Sequence, residues 1–171
     1  MNSDDLRALQ TPLKDRYREH PEAALVTLRA RGRIGEDVTC RVETGKALVA
    51  AGLHPATGGD GRAACSGDML LEALAACAGV TMAAVATALG IEIRHGRVEA
   101  EGDLDFRGTL GVSKEVAVGF QTIRLRFDLE TDASEEQLAN LQRLTERYCV
   151  VFQTLRRPPE IAVSRRRITS P

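Results

Sequence analysis

Tryptophan is absent and aromatic residues make up only 4% of the 171-residue chain, which leaves little material for a platform that stacks bases or sugars. Charge of one sign is missing too. Lys plus Arg number 23 against 24 Asp plus Glu, a net charge of −1, whereas nucleic-acid binders usually carry a strong basic excess. No C-x-x-C pair occurs and His20, His54 and His95 are scattered, so no metal site is expected. The GGDG run lacks the spacing of a phosphate loop, and there is no G-x-S-x-G elbow of a serine hydrolase. The opening MNSDDLRALQ is polar and acidic, without the apolar stretch of a signal peptide. A cytoplasmic location is expected, where structural disulfides are rare.

What is present is a chain with 43% apolar and 27% charged residues, enough for one packed domain with a terminal extension. Residues 3–19 carry Leu6, Leu9 and Leu13 at helical spacing, with Pro12 predicting a kink or two short pieces. Strands are expected at 24–31 and 37–43, with Arg33, Ile34 and Gly35 in the turn between them. Ala51 to Gly67 holds Pro55 and five glycines and reads as a long loop, with His54 and Asp60 at its polar positions. Ser66 is the expected N-cap of a helix running from about Gly67 to Leu89 and stopping at Gly90, with Asp68 at its positive end. Ala73 to Ile91 is free of charge, yet its Ala, Gly and Thr content makes it a weak membrane span, and it reads as the buried helix of a soluble protein.

Two alternating segments follow. Val98, Ala100, Leu104 and Phe106 oppose Glu99, Glu101, Asp103 and Asp105, while Ile123, Leu125, Phe127 and Leu129 oppose Arg124, Arg126, Asp128 and Glu130. Both read as half-buried antiparallel strands. Ser134 with Gln137 forms a capping-box signature for a helix whose apolar stripe is Leu138, Leu141, Leu144 and Tyr148. Pro158 and Pro159 then precede an expected last strand, 160–168, in which Arg165, Arg166 and Arg167 read as a solvated end.

Four cysteines carry the remaining chemistry: Cys40 in a strand, Cys65 in the loop, Cys77 in the middle of the long helix and Cys149 near the end of the later one. On spacing alone, Cys77 is either a small apolar filler in a tight helix contact or a reactive thiol. Glu72 lies about 140° round the helix from it, and the helix N-terminus is about 15 Å away, so neither dipole nor neighbour lowers its pKa. A cation from elsewhere in the fold would be needed.

The stretch SGDMLLEALAACAGVTMA resembles the central helix of the OsmC/Ohr family of bacterial thiol peroxidases, in which the reactive Cys follows an LLxAxxAC-type run, and ERYCVVFQTL resembles that family's second-Cys segment. The order of strands and helices is similar as well. The resemblance implies an α+β fold with antiparallel sheets around a long buried central helix, assembled as an intertwined homodimer, with residues 1–21 as a helical extension and 22–171 as the domain. It implies Cys77 as the thiol attacking an organic hydroperoxide and Cys149 as the resolving thiol. No bound cofactor is implied, and an external lipoyl-like dithiol would serve as reductant. Arg33, in a GRIG run, resembles the family's arginine turn and would pair with the Cys77 thiolate.

Two positions depart from the family pattern. Gly67 stands where the family has a Glu, leaving Asp68 beside it as a substitute, and Val150 stands where a Pro usually follows the second Cys. These departures point to an OsmC-like branch and leave a second reading: a dimeric module that binds a small hydrophobic ligand with little turnover. Leu70, Leu71, Met82 and Phe152 are the expected lining of an apolar pocket, and no nucleic-acid or membrane partner is expected.

Overall fold

The computed structural model describes residues 3–34, 40–42, 51–165 and 167, with the backbone alone at 3–7, 9, 28–34 and 40–42. Its spine is helix α2, Ser66–Leu89, which lies against one face of a four-stranded sheet. The sheet is built from β1 (Leu25–Ile34), β2 (Cys40–Val42), β5 (His95–Asp105) and β6 (Phe120–Glu130), in the order β2-β1-β5-β6 with antiparallel neighbours. Two short strands, β3 (Ala51–Gly52) and β4 (Ala64–Cys65), pair in parallel just before α2. The architecture is the expected α+β arrangement around a long central helix.

Small residues let α2 approach the sheet closely. Leu71, Leu74, Ala75 and Ala78 are buried against Val98 and Ala100 of β5. The helix is long and apolar enough to cross a membrane by length and composition; 44% of its apolar window is buried inside the protein, where it packs on the sheet and the later helices. Gly90, with φ 67°, closes the helix in the left-handed conformation that a side chain would strain, and its N–H reaches the Ala86 and Thr87 carbonyls. The N-cap is Cys65 rather than Ser66, which is the first helical residue, and Cys65 makes no side-chain capping bond.

Across the core, Gly102 of β5 makes room for an aromatic ring. A Cβ there would come within 2.4 Å of the Phe120 ring and 3.4 Å of Leu71 Cδ2.

Helix α4 (Glu135–Tyr148) carries the complete capping box: the Ser134 hydroxyl accepts from the Gln137 N–H, and the Gln137 side chain accepts from the Ser134 N–H. Leu141 of its stripe is buried with Met82, Ala86 and Ile91. Tyr148 is not part of that face. It is 57% exposed, and Thr145, one turn earlier, is buried in its place. Helix α5 (Val150–Arg156) follows after a single intervening residue, Cys149.

Four further expectations change. Helix α1 (Ser3–Glu19) runs unbroken through Pro12. Both of its halves are held from outside the helix: Leu13 and Tyr17 pack with Ala24, Phe106 and Leu110, the Tyr17 hydroxyl donates to the Ala56 carbonyl at 2.8 Å, and Gln10 donates to the Thr57 carbonyl at 3.2 Å. The long loop is locally ordered by a turn of tight helix at Pro55–Thr57, where His54 Nδ1 accepts from the Ala56 N–H. Arg33 and Ile34 lie in β1, in register with Arg97 and Cys40 respectively, because pairing with β5 and β2 extends the strand beyond the expected turn. No strand forms after α5 among the described residues. Pro158 and Pro159 remove two donors, and Ile161 and Val163, 79% and 89% exposed, reach no core.

Replacing Leu71 by Ala should remove about 2–5 kcal/mol of unfolding free energy in urea titrations, since the side chain is fully buried against the sheet. Ser134→Ala, which loses one exposed cap, should cost only about 1 kcal/mol.

Candidate active site: two thiols at a helix break

Cys149 is both the last cap of α4 and the first cap of α5, with extended dihedrals of φ −70° and ψ 108°. The break exposes the first N–H groups of α5, which have no partner within their own helix. Val151 of that first turn packs in the same core cluster as Cys149 and Cys77 of α2. Cys77 is half-buried and Cys149 is 1% exposed, and both are free thiols.

The balance of effects differs between the two. Burial pushes the Cys77 thiol up, but the donors from Val151, Cys149, Val150 and Thr81 outweigh it and leave its pKa below the ordinary thiol value. For Cys149, burial dominates, and the contact with Cys77 and the charge on it add to the rise, so its thiol is pushed up to about 11. The two thiols of the pair are therefore shifted in opposite directions, Cys77 toward and Cys149 away from the thiolate.

The expected cation is not among the described groups acting on this sulfur. Arg33 is described only as backbone, paired with Arg97 and Arg41 in the sheet, so its side chain lies outside the described residues. Asp68 has a different neighbour. Burial raises its pKa and the nearby His54 lowers it, while Glu72, also raised by burial, is raised further by Asp68. The His54 ring stacks on Phe106 at 5.0 Å. Cys65 packs at the margin of the main core, and among the described residues no group of three His, Cys, Asp or Glu side chains could hold a metal.

A cavity of about 410 Å³ is lined by Leu74, Phe120, Ile123, Leu125, Phe152 and Leu155, which share the core cluster of the two thiols, and by Gln121, Thr122 and Arg156; neither thiol lines it. Leu74 sits one turn before Cys77 and Phe152 one turn after Cys149. Of the expected lining, Phe152 is in this wall and also borders a second cavity of about 260 Å³ against α4. Leu70 is 37% exposed on the outer side of α2. Leu71 and Met82 are fully buried in the core, Leu71 under the sheet and Met82 against Thr145.

The sequence reading missed the α5 amides, Thr81 and the strand residues of the cavity. Thr81 was detectable at four residues from Cys77, and Phe120, Ile123 and Leu125 were detectable as the inward positions of an alternating strand. The amides carry no side-chain signal at all.

Comparison with known proteins gives the family and the fold. The family model described as OsmC-like protein matches residues 59–164, more than half of the chain. The fold is similar to an OsmC-like hydroperoxide resistance protein from Jannaschia sp. CCS1, at 17% identity and TM-score 0.59, covering 81% of this chain and 91% of that one. It is similar to an OsmC-like protein from Mycoplasma pneumoniae, at 17% identity and TM-score 0.55, covering 78% and 86% respectively. No curated protein matches the sequence.

At neutral pH, iodoacetamide should modify Cys77 well before Cys149, whose labelling should rise only as pH approaches about 11. Cys149→Ala removes one donor from Cys77 and should move the Cys77 reaction midpoint to higher pH. Peptide mass mapping across a pH series reads both, and equal labelling of the two thiols at pH 7 would contradict the assignment.

Proposed function

The chain belongs to the OsmC-like protein family, and from that premise we propose that it is a thiol peroxidase acting on organic hydroperoxides, with Cys77 as nucleophile and Cys149 as resolving thiol. The observation that carries this reading is the packing of Cys77 of α2 against the core cluster that holds the buried Cys149 at the α4–α5 break; the opposite directions in which the two thiols are shifted support it.

The chemistry follows from that asymmetry. The Cys77 thiolate attacks the terminal oxygen of R–O–O–H; the O–O bond breaks, R–O⁻ takes up a proton and leaves as the alcohol, and the sulfur becomes a sulfenic acid. Two of the effects that hold Cys149 protonated are its contact with Cys77 and the charge on Cys77. Both end when Cys77 is oxidised. Cys149 then gives up its proton more readily, attacks the sulfenic sulfur, and expels the oxygen as water to form the disulfide. An external dithiol reopens the bond by exchange, and a lipoyl-like compound is the reductant we assign.

The cavity whose walls share the core cluster of the pair supplies room for the organic group. Its apolar wall of Leu74, Phe120, Ile123, Leu125, Phe152 and Leu155 favours an alkyl or aryl substituent over hydrogen peroxide. The same wall supports the second reading, a module that holds a small hydrophobic ligand and turns over slowly. A homodimer is part of the proposal, supported by the exposed apolar residues Met69, Leu70 and Val80 of α2. The free thiols suit a reducing, cytoplasmic setting.

Reduced protein mixed with a slight excess of cumene hydroperoxide should lose two thiols rapidly and yield a Cys77–Cys149 disulfide, and Cys77→Ser should form none. Oxidation of Cys77 alone would remove Cys149 as resolver. Thiols that survive for hours would overturn the peroxidase reading and leave ligand binding.

A further inference from the structure

We propose that Phe152 sets the length of the organic group that the protein accepts: its side chain ends the cavity of about 410 Å³, and the cavity of about 260 Å³ is the continuation that the ring closes off. The class of ligand assigned is a compact organic group, cumyl-like or a short alkyl chain, and not a long unbranched one. This deepens the proposed function and rests on the larger cavity being where the organic group sits.

The two cavities lie along one strand. Ile123 and Leu125 of β6 line the larger, and Leu125 and Phe127 the smaller. These are alternate residues on one face of β6, so the cavities follow one another along it, at about 7 Å for each step of two residues. Across from the strand, α5 covers the first with Phe152 and Leu155, and α4 covers the second with Gln142 and Glu146.

Leu125 and Phe152 border both cavities. Leu125 is fixed from below, since its strand is paired there with Ala100 of β5. Phe152 is carried by a seven-residue helix with no fully buried residue, joined to α4 through Cys149 alone. The larger of the two side chains thus stands where the cavities meet, on the element least held by the core, and it is the partition.

Beyond it, the smaller cavity suits an alkyl chain. Leu125 and Phe127 give it an apolar wall. Its polar side chains already have partners: Glu146 accepts from Gln142 at 2.9 Å, and Arg126 reaches Glu99 at 2.8 Å and Asp128 at 3.2 Å. A chain that entered would cover apolar surface without stranding a charge. The larger cavity alone is near the lower end of the volumes that hold small molecules, about 300–1,000 Å³, so a stop at Phe152 decides what fits.

The test uses the full chain and unreactive n-alkanols of increasing length, read by displacement of Nile red, a neutral apolar dye. While a chain still enters the larger cavity, each added methylene should tighten binding about fourfold. In the wild type that gain should stop once the cavity is filled. In Phe152→Ala it should continue to longer chains. Phe152→Leu should move the limit the same way by less, and it serves if the alanine variant does not fold. A limit that stays at the wild-type length in a folded variant overturns the role of Phe152, as does a wild-type gain that runs on unbroken into long chains. Wild-type protein that binds no alkanol overturns the cavity as a ligand site and the proposal with it. A limit that moves in a protein that consumes no hydroperoxide supports the Phe152 stop and counts only against the peroxidase. Hydroperoxide consumption with an unmoved limit overturns the stop and leaves the peroxidase standing.

Discussion

One extended residue, Cys149, is the constraint on which the site depends. Helix α4 would otherwise continue into α5, and every amide in that stretch would be spent on its own i−4 carbonyl. The break is held from both sides. The Cys149 N–H still reaches the Thr145 carbonyl at 2.9 Å, its carbonyl accepts from the Gln153 N–H at 2.9 Å, and the Gln153 side chain reaches back to the Glu146 carbonyl at 2.6 Å. That last bond satisfies a carbonyl left open at the end of α4. The result is two adjacent helices with a buried thiol between them, packed against α2. The protein obtains an anion-favouring environment from backbone geometry, at a point about halfway along α2 where that helix's own dipole contributes little.

Much of the scaffold was legible because it follows periodicity. The alternation at 98–106 and 123–130, the capping box at Ser134 and the glycine stop at Gly90 each reflect a local rule that the tertiary structure respects. The failures share a cause. Pro12 and the region around Arg33 follow tertiary partners instead of local preference: docking on Phe106 and Leu110 sustains α1, and pairing with β5 extends β1. Tyr148 has the spacing of a core residue but stands where α4 rolls away toward α5. At the site, the two cysteines could be named from their flanking runs, whereas the groups that tune them are main-chain amides and one threonine hydroxyl. Nothing in residue identity advertises an unsatisfied amide, because its availability depends on where a helix stops.

The outer face of the sheet shows why the chain's charges balance. Arg124 pairs with Asp103 and, at 3.3 Å, with Glu101; Arg126 pairs with Glu99 at 2.8 Å; and the Thr27 hydroxyl donates to Asp103 at 2.6 Å. The alternation that buries one side of β5 and β6 thus sets rows of opposite charge side by side on the other. Exposed pairs of this kind add little stability each. Glu99, only 7% exposed, is the member whose partner matters most, since a shielded carboxylate without a cation is costly.

Gly102 gives the cavity an unusual dependence. It lies tight against the Phe120 ring, and Phe120 is part of the apolar wall. A methyl group there would have to push the ring aside, since 2.4 Å is far inside van der Waals contact. The space offered to an organic group is therefore tuned by a strand residue that such a group never meets. Descendants of this sequence could change the bulk they accept by exchanging one small residue on β5, leaving both thiols and every residue around them as they are.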